Sequence, residues 1–132
     1  MKKTARILVL EDDPDLLAAL ERQLAQDAPE WEVLGVRDGV TALSTAHSWQ
    51  PHVIVLDLLV PQLKGLDMLK QLRQTEIGQR IPILVLTNFD ESGFMSEAAS
   101  LGVSDFLVKA HAKPSEVVER IRLALNAPVA KK

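Results

Sequence analysis

Four kinds of side chain stand where short apolar runs stop. Glu11 and Asp12 follow residues 7–10, Asp57 follows Val53–Leu56, Thr87 and Asn88 follow residues 83–86, and Lys109 follows Asp105–Val108. Singly, each has an ordinary use: an aspartate leaving a strand, a strand threonine, a solvated lysine. Together they describe a chemistry. Three carboxylates gathered in one crevice repel each other until a proton or a cation intervenes. Hard oxygen ligands with room for water suit Mg²⁺, which takes one or two carboxylates and completes its shell with waters and a phosphate. The Lys109 ammonium and the Thr87 hydroxyl offer a point charge and a donor to an anion beside that metal. In phosphoryl transfer the protein chiefly positions groups and neutralises charge. Asp57 would then be the nucleophile and form an aspartyl phosphate.

Such a crevice needs strands that end together. Apolar runs recur at residues 7–10, 31–36, 53–56, 83–86 and 105–108. Most are continuous rather than alternating, as in strands of a parallel sheet covered on both faces. Helical spacing fills the intervals. Leu16, Leu17, Leu20 and Leu24 form one stripe, opened by Asp13 as N-cap with Pro14 at the first helical position. Val40, Leu43 and His47 suit a second helix after Asp38-Gly39, and Leu66, Leu69 and Leu72 a third after Gly65. A fourth is expected over residues 91–101, stopped by Gly102 in the left-handed conformation. The fifth is expected over residues 114–126, with Val117, Val118, Ile121, Leu123 and Leu125 as its apolar positions. Five strands alternating with five helices predict a doubly wound α/β sheet, whose ligands bind outside the carboxyl ends of the strands.

The 132 residues suit one domain, expected over 1–126 with 127–132 as a tail or the start of a linker. A hydrophobic fraction of 47% and a charged fraction of 25% are those of a folded globule and exclude disorder. With no cysteine there is neither a disulfide framework nor a thiolate zinc site. The net charge of −3 and the lack of a dense interior Lys/Arg block argue against direct nucleic-acid binding. No apolar run is long enough to span a membrane or to form a signal-peptide core, so a cytoplasmic location is expected. His47, His52 and His111 lack metal-ligand spacing. Trp31 and Trp49 read as packing residues, and Phe94 and Met95 as either core or partner surface.

The ordered motifs Ile7-Leu8-Val9-Leu10-Glu11-Asp12-Asp13, Asp57-Leu58-Leu59-Val60-Pro61 with Gly65, Leu86-Thr87 and Asp105-Phe106-Leu107-Val108-Lys109 span almost the whole chain. They closely resemble the receiver domain of two-component response regulators, the CheY-like family. The resemblance implies a flavodoxin-like strand order of 2-1-3-4-5. It also implies that Asp57 accepts a phosphoryl group from a sensor histidine kinase or a histidine phosphotransfer domain. Mg²⁺ would be bound by Asp12 and Asp57 directly, by Glu11 through water, and by the backbone carbonyl of Leu59. Lys109 would pair with the phosphoryl oxygens. Thr87 would swing in to bond one of them, and Phe106 would turn inward as the switch aromatic. Output would be a population shift of the face made by helix four, strand five and helix five, read by a downstream protein target. A phosphorylation-dependent homodimer is compatible with the pattern.

Three departures from the family pattern bear on mechanism. Ala110 follows the lysine where the family often has a cis proline, so a trans bond is expected here. Asn88 replaces the small residue usual after the threonine, which narrows access to the phosphoryl group. Leu59 and Phe89, each two positions beyond a site residue, are bulky and apolar; they are expected to hinder water and prolong the phosphorylated state. Two other functions use the same elements. A flavin- or nucleotide-binding protein of flavodoxin type would need a phosphate cradle, but the first turn is Glu11-Asp12-Asp13-Pro14, acidic and without glycine. A phosphohydrolase with Asp57 as nucleophile would want a second carboxylate two residues on, where Leu59 stands. The receiver pattern leaves no room here for an output module, so output is expected through another chain or a region outside this sequence. The pattern implies a signalling module that catalyses only its own phosphorylation and dephosphorylation.

Overall fold

The computed structural model describes residues 3–58, 64–88 and 92–126, without the side chains of 92–94. Five strands, β1 (Ala5–Leu10), β2 (Trp31–Val36), β3 (Val53–Leu56), β4 (Ile83–Thr87) and β5 (Asp105–Val108), form one parallel sheet in the order β2-β1-β3-β4-β5. Five helices alternate with them: α1 (Pro14–Asp27), α2 (Gly39–Trp49), α3 (Gly65–Arg73), α4 (Ser92–Ser100) and α5 (Pro114–Asn126). This is the doubly wound arrangement the sequence predicts.

Alternate strand residues build the two halves of the core. Leu8, Leu10, Ile54, Leu56, Ile83 and Val85 face one layer with Ala42, Ala46, Leu69, Leu72 and Ala98. Ile7, Val9, Val53, Val55, Leu84 and Leu86 face the other with Leu17, Leu20, Leu24, Val117, Val118 and Ile121. β3 and β4 are buried along their whole length, hence their unbroken apolar sequence. β2 lies at the edge of the sheet, and there Glu32 and Leu34 are exposed.

Local signals fix several helix ends. The Asp13 carboxylate accepts the amides of Asp15 and Leu16, and Asp38 accepts the Thr41 amide at 2.8 Å. Gly102, at φ +79°, turns the chain out of α4, as expected. No peptide bond among the described residues is cis, so Lys109 and Ala110 are joined in trans.

Some expectations need correction. The buried face of α2 is Gly39, Ala42 and Ala46, while Val40 is 55% exposed. Small residues bring that helix close to the sheet, a solution that a search for large apolar residues overlooks. Leu123 likewise points outward from α5, 60% exposed. β1 extends back to Ala5 because it pairs with Trp31 and Glu32 of β2. α4 is one residue shorter at its carboxyl end than expected. Trp31 is buried and carries the Arg122 guanidinium 4.9 Å from its ring centroid. Trp49 packs partly buried against the α2–α3 side of the core. No helix among the described residues is long and apolar enough to cross a membrane.

Candidate functional site

The strand register carries the site residues to the same end of the sheet. The Glu11 amide donates to the Val36 carbonyl and the Asp57 amide to the Leu10 carbonyl, so the β1 and β3 exits are tied together. The Lys109 amide donates to the Thr87 carbonyl at 3.0 Å, which joins the exits of β4 and β5. Thr87 is 1% exposed, in register with Val108.

Glu11, Asp57 and Thr87 are the buried polar residues among those described. The Lys109 ammonium bridges the two acids: it donates to Asp57 Oδ2 at 2.7 Å and lies 2.7 Å from Glu11 Oε1. Glu11 Oε2 accepts the Asp13 amide at 3.0 Å, whereas Oε1 has the charge contact but no hydrogen bond of good geometry. Burial raises the pKa of Glu11 and outweighs the opposing pull of Lys109 and the Asp13 amide. Burial also disfavours the charged form of Lys109, yet its bonds to Asp57 and Glu11 prevail and raise its pKa above the ordinary value.

Asp12 completes the acidic group. Carboxylate oxygens of Glu11, Asp12 and Asp57 all lie within 4.8 Å of one another. One ammonium set against three carboxylates leaves this crevice short of positive charge, and the hydrogen-bond-deficient Oε1 is oriented within it. An all-oxygen donor set of this kind fits a hard divalent cation such as Mg²⁺.

Two contributors to the geometry escape a reading by residue type. The first is Gly65 at the start of α3: a Cβ there would sit 2.0 Å from the Asp57 carbonyl oxygen. The glycine lets helix and acid-bearing turn touch, and its spacing from Asp57 was the available signal. The second is Arg37, which donates to the Asp12 carbonyl at 3.1 Å. Nothing in its local sequence announces that bond. Phe106 is half-buried and packs against the α2–α3 side of the core. Asn88 is exposed at the rim. Leu59 and Phe89 lie outside the described residues.

The model of the response regulator receiver domain matches residues 7–122. The chain belongs to this family. The receiver is 34% identical over 121 residues to the alkaline phosphatase synthesis transcriptional regulatory protein PhoP of Bacillus subtilis, covering 92% of this chain and 48% of that protein. It is 37% identical over 123 residues to the response regulator MprA of Mycobacterium bovis, covering 93% of this chain and 51% of that one. The receiver thus spans about half the length of the curated relatives it matches. Among solved structures it resembles the receiver domain of sensor histidine kinase PA1611 from Pseudomonas aeruginosa, with a TM-score of 0.82 and 27% identity over 93% of this chain and 98% of that one. That structure has a magnesium ion coordinated in its active-site cleft. A signalling receiver displaces the flavin-binding and phosphohydrolase readings of the same fold.

Proposed function

We propose that this receiver takes a phosphoryl group onto Asp57 in a Mg²⁺-dependent reaction. The observation that supports it best is the buried Asp57 carboxylate held 2.7 Å from the Lys109 ammonium within a cluster of three acids. A carboxylate oxygen of Asp57 forms the new P–O bond as the P–N bond of a phosphohistidine donor breaks. The donor would be a sensor histidine kinase or a histidine phosphotransfer domain. Asp12 and Asp57 would hold the cation directly, Glu11 through water, and Leu59 through its carbonyl. When bound, Mg²⁺ neutralises charge on the transferring group and lets the anion approach the acids.

The remaining chemistry belongs to the chain. Lys109 exchanges its bond to Asp57 for one to a phosphoryl oxygen, remaining protonated throughout. The Thr87 hydroxyl supplies a second donor, and Phe106 follows Thr87 inward. The change passes to α4, β5 and α5, which present a different surface to a protein target or to a second copy. Asn88, Leu59 and Phe89 restrict water at the acyl phosphate and lengthen its life. Residues 1–126 form the receiver, with 127–132 as a tail or linker, and the protein acts in the cytoplasm without binding nucleic acid through this domain. Its catalysis is confined to its own phosphorylation and dephosphorylation.

Acetyl phosphate with Mg²⁺ should add one phosphoryl group by intact mass, and Asp57→Asn should abolish the adduct. No adduct from acetyl phosphate or from a kinase phosphohistidine overturns the reading. Phosphate release separates the access roles: Leu59→Asn or Phe89→Glu should accelerate it, and unchanged rapid loss in both removes them.

A further inference from the structure

Arg73, the last residue of α3, is half-buried and makes an unusual set of bonds. Its Nε donates to the Leu101 carbonyl at 2.7 Å, and one terminal nitrogen to the Gly102 carbonyl at 3.0 Å. The other terminal nitrogen donates to the carbonyls of Gly78 and Ile81, at 2.5 and 2.8 Å. No carboxylate among the described residues pairs with it. A guanidinium surrounded by carbonyls is neutralised by dipoles, and its planar fork fixes where those dipoles stand. Residues 78 and 81 belong to the connection into β4, while 101 and 102 are the turn that ends α4. One side chain therefore binds the exit of α4 to α3 and to the entrance of β4.

The described middle of α4, Met95 to Ser100, is held lightly. Among its described side chains Ala98 is buried, Met95 and Glu97 are half-buried, and Ser96, Ala99 and Ser100 are exposed. Glu97 also pairs with Lys70 of α3, but both partners are more than 40% exposed, and exposed pairs contribute little. In the turn and just beyond it, Leu101 and Val103 pack partly buried against the core. Among the described side chains the fastenings thus lie at the carboxyl end of the helix.

We propose that Arg73 fixes the carboxyl end of α4, so that displacement of this helix on phosphorylation is a swing about a stationary Leu101–Gly102 turn. This inference rests on the phosphoryl-acceptor reading for its trigger. The clamp itself is a feature of the unphosphorylated chain. A swing about one end delivers the largest motion near β4, where Thr87 acts, and leaves the β5 entrance in register.

Amide hydrogen exchange and chemical shifts of the full chain by NMR test this. Samples are metal-free, Mg²⁺-bound, and Mg²⁺-bound with beryllofluoride as a phosphoryl stand-in. In the wild type, beryllofluoride should shift the amides of Met95 to Ala98 and leave those of Leu101 to Val103 in place. In Arg73→Met the change should extend through Val103, and the Leu101 to Val103 amides should exchange about tenfold faster even without Mg²⁺. Arg73→Lys, with charge but no fork, should fall between the two and guards against a Met variant that does not fold. Lys70→Gln should behave as wild type. Equal shifts at both ends of wild-type α4 would overturn the swing. Wild-type exchange at Leu101 to Val103 in folded Arg73→Met or Arg73→Lys would overturn the clamp. No adduct on the wild type from either acetyl phosphate or a kinase phosphohistidine would overturn the acceptor reading and the swing with it; the metal-free exchange would still judge the clamp.

Discussion

The Lys109 ammonium holds two buried acids at once, and that shared contact sets how the metal-free site responds to pH. Its pKa is raised above the ordinary 10.5. Folding therefore gains from its protonation at any pH below that value and loses the gain as pH rises through the folded value. Alkaline denaturation of the wild type should show this step, and Lys109→Met should lack it while being less stable at pH 7 by about 3 kcal/mol. Chemical denaturation across the alkaline range measures both. Asp12→Asn should act in the opposite direction. Removing one of three carboxylates within 4.8 Å of each other should stabilise the metal-free protein on the order of 1 kcal/mol. The same change should abolish most Mg²⁺ binding, read by calorimetry. A lower melting temperature in metal-free Asp12→Asn would show that repulsion among the acids is already relieved.

Helix starts illustrate how physical reading succeeds at the scale of elements. Asp38 caps α2 through the Thr41 amide and hydroxyl, and these bonds lower its pKa from 3.8. A depressed acid contributes above its ordinary pKa and loses that contribution as pH falls through the folded value. Asp38→Ala should cost about 1 kcal/mol at pH 7, with little difference from wild type once Asp38 is protonated in acid. At α3 the requirement is space, not a cap. Gly65→Ala places a Cβ where the Asp57 carbonyl oxygen already sits, so the helix must retreat from the acid-bearing turn. A loss of about 2–3 kcal/mol is expected from overpacking, together with slower phosphorylation by acetyl phosphate. The Asp13 cap of α1 was legible because capping is local and residue-specific, and the same rule accounts for Asp38. Close approach at Gly65 left only its spacing from Asp57 as a signal, because it depends on how the start of α3 packs on the Asp57 backbone.

At the scale of the whole molecule, a parallel sheet and the carboxyl-end location of the site follow from unbroken apolar runs and the acids that end them, whereas the strand order was implied only by the family resemblance. Legibility failed where packing chose among alternatives: Ala42 and Ala46 face the core of α2 while Val40 does not, and Leu123 faces outward. Arg73 was invisible for a different reason, since its partners are backbone carbonyls that carry no signature in the sequence. Metal linkage offers a measurement on the entire fold. With Mg²⁺ at a hundredfold excess over its Kd, folding should gain about 2.7 kcal/mol. Chelation should return the melting temperature to the metal-free value, and an Asp57→Asn protein should show a much smaller rise. No rise in the wild type would mean that the acidic crevice does not bind the ion in the folded state.

The bond between Lys109 and Asp57 joins residues 52 positions apart, and Glu11 is more distant still along the chain. A ribosome must therefore complete the last strand before either buried acid meets its cation. Until then the emerging polypeptide carries Glu11 and Asp57 without that partner. The lysine-bridged acidic crevice is a late product of synthesis, completed by β5, and a nascent chain halted before residue 105 would lack it.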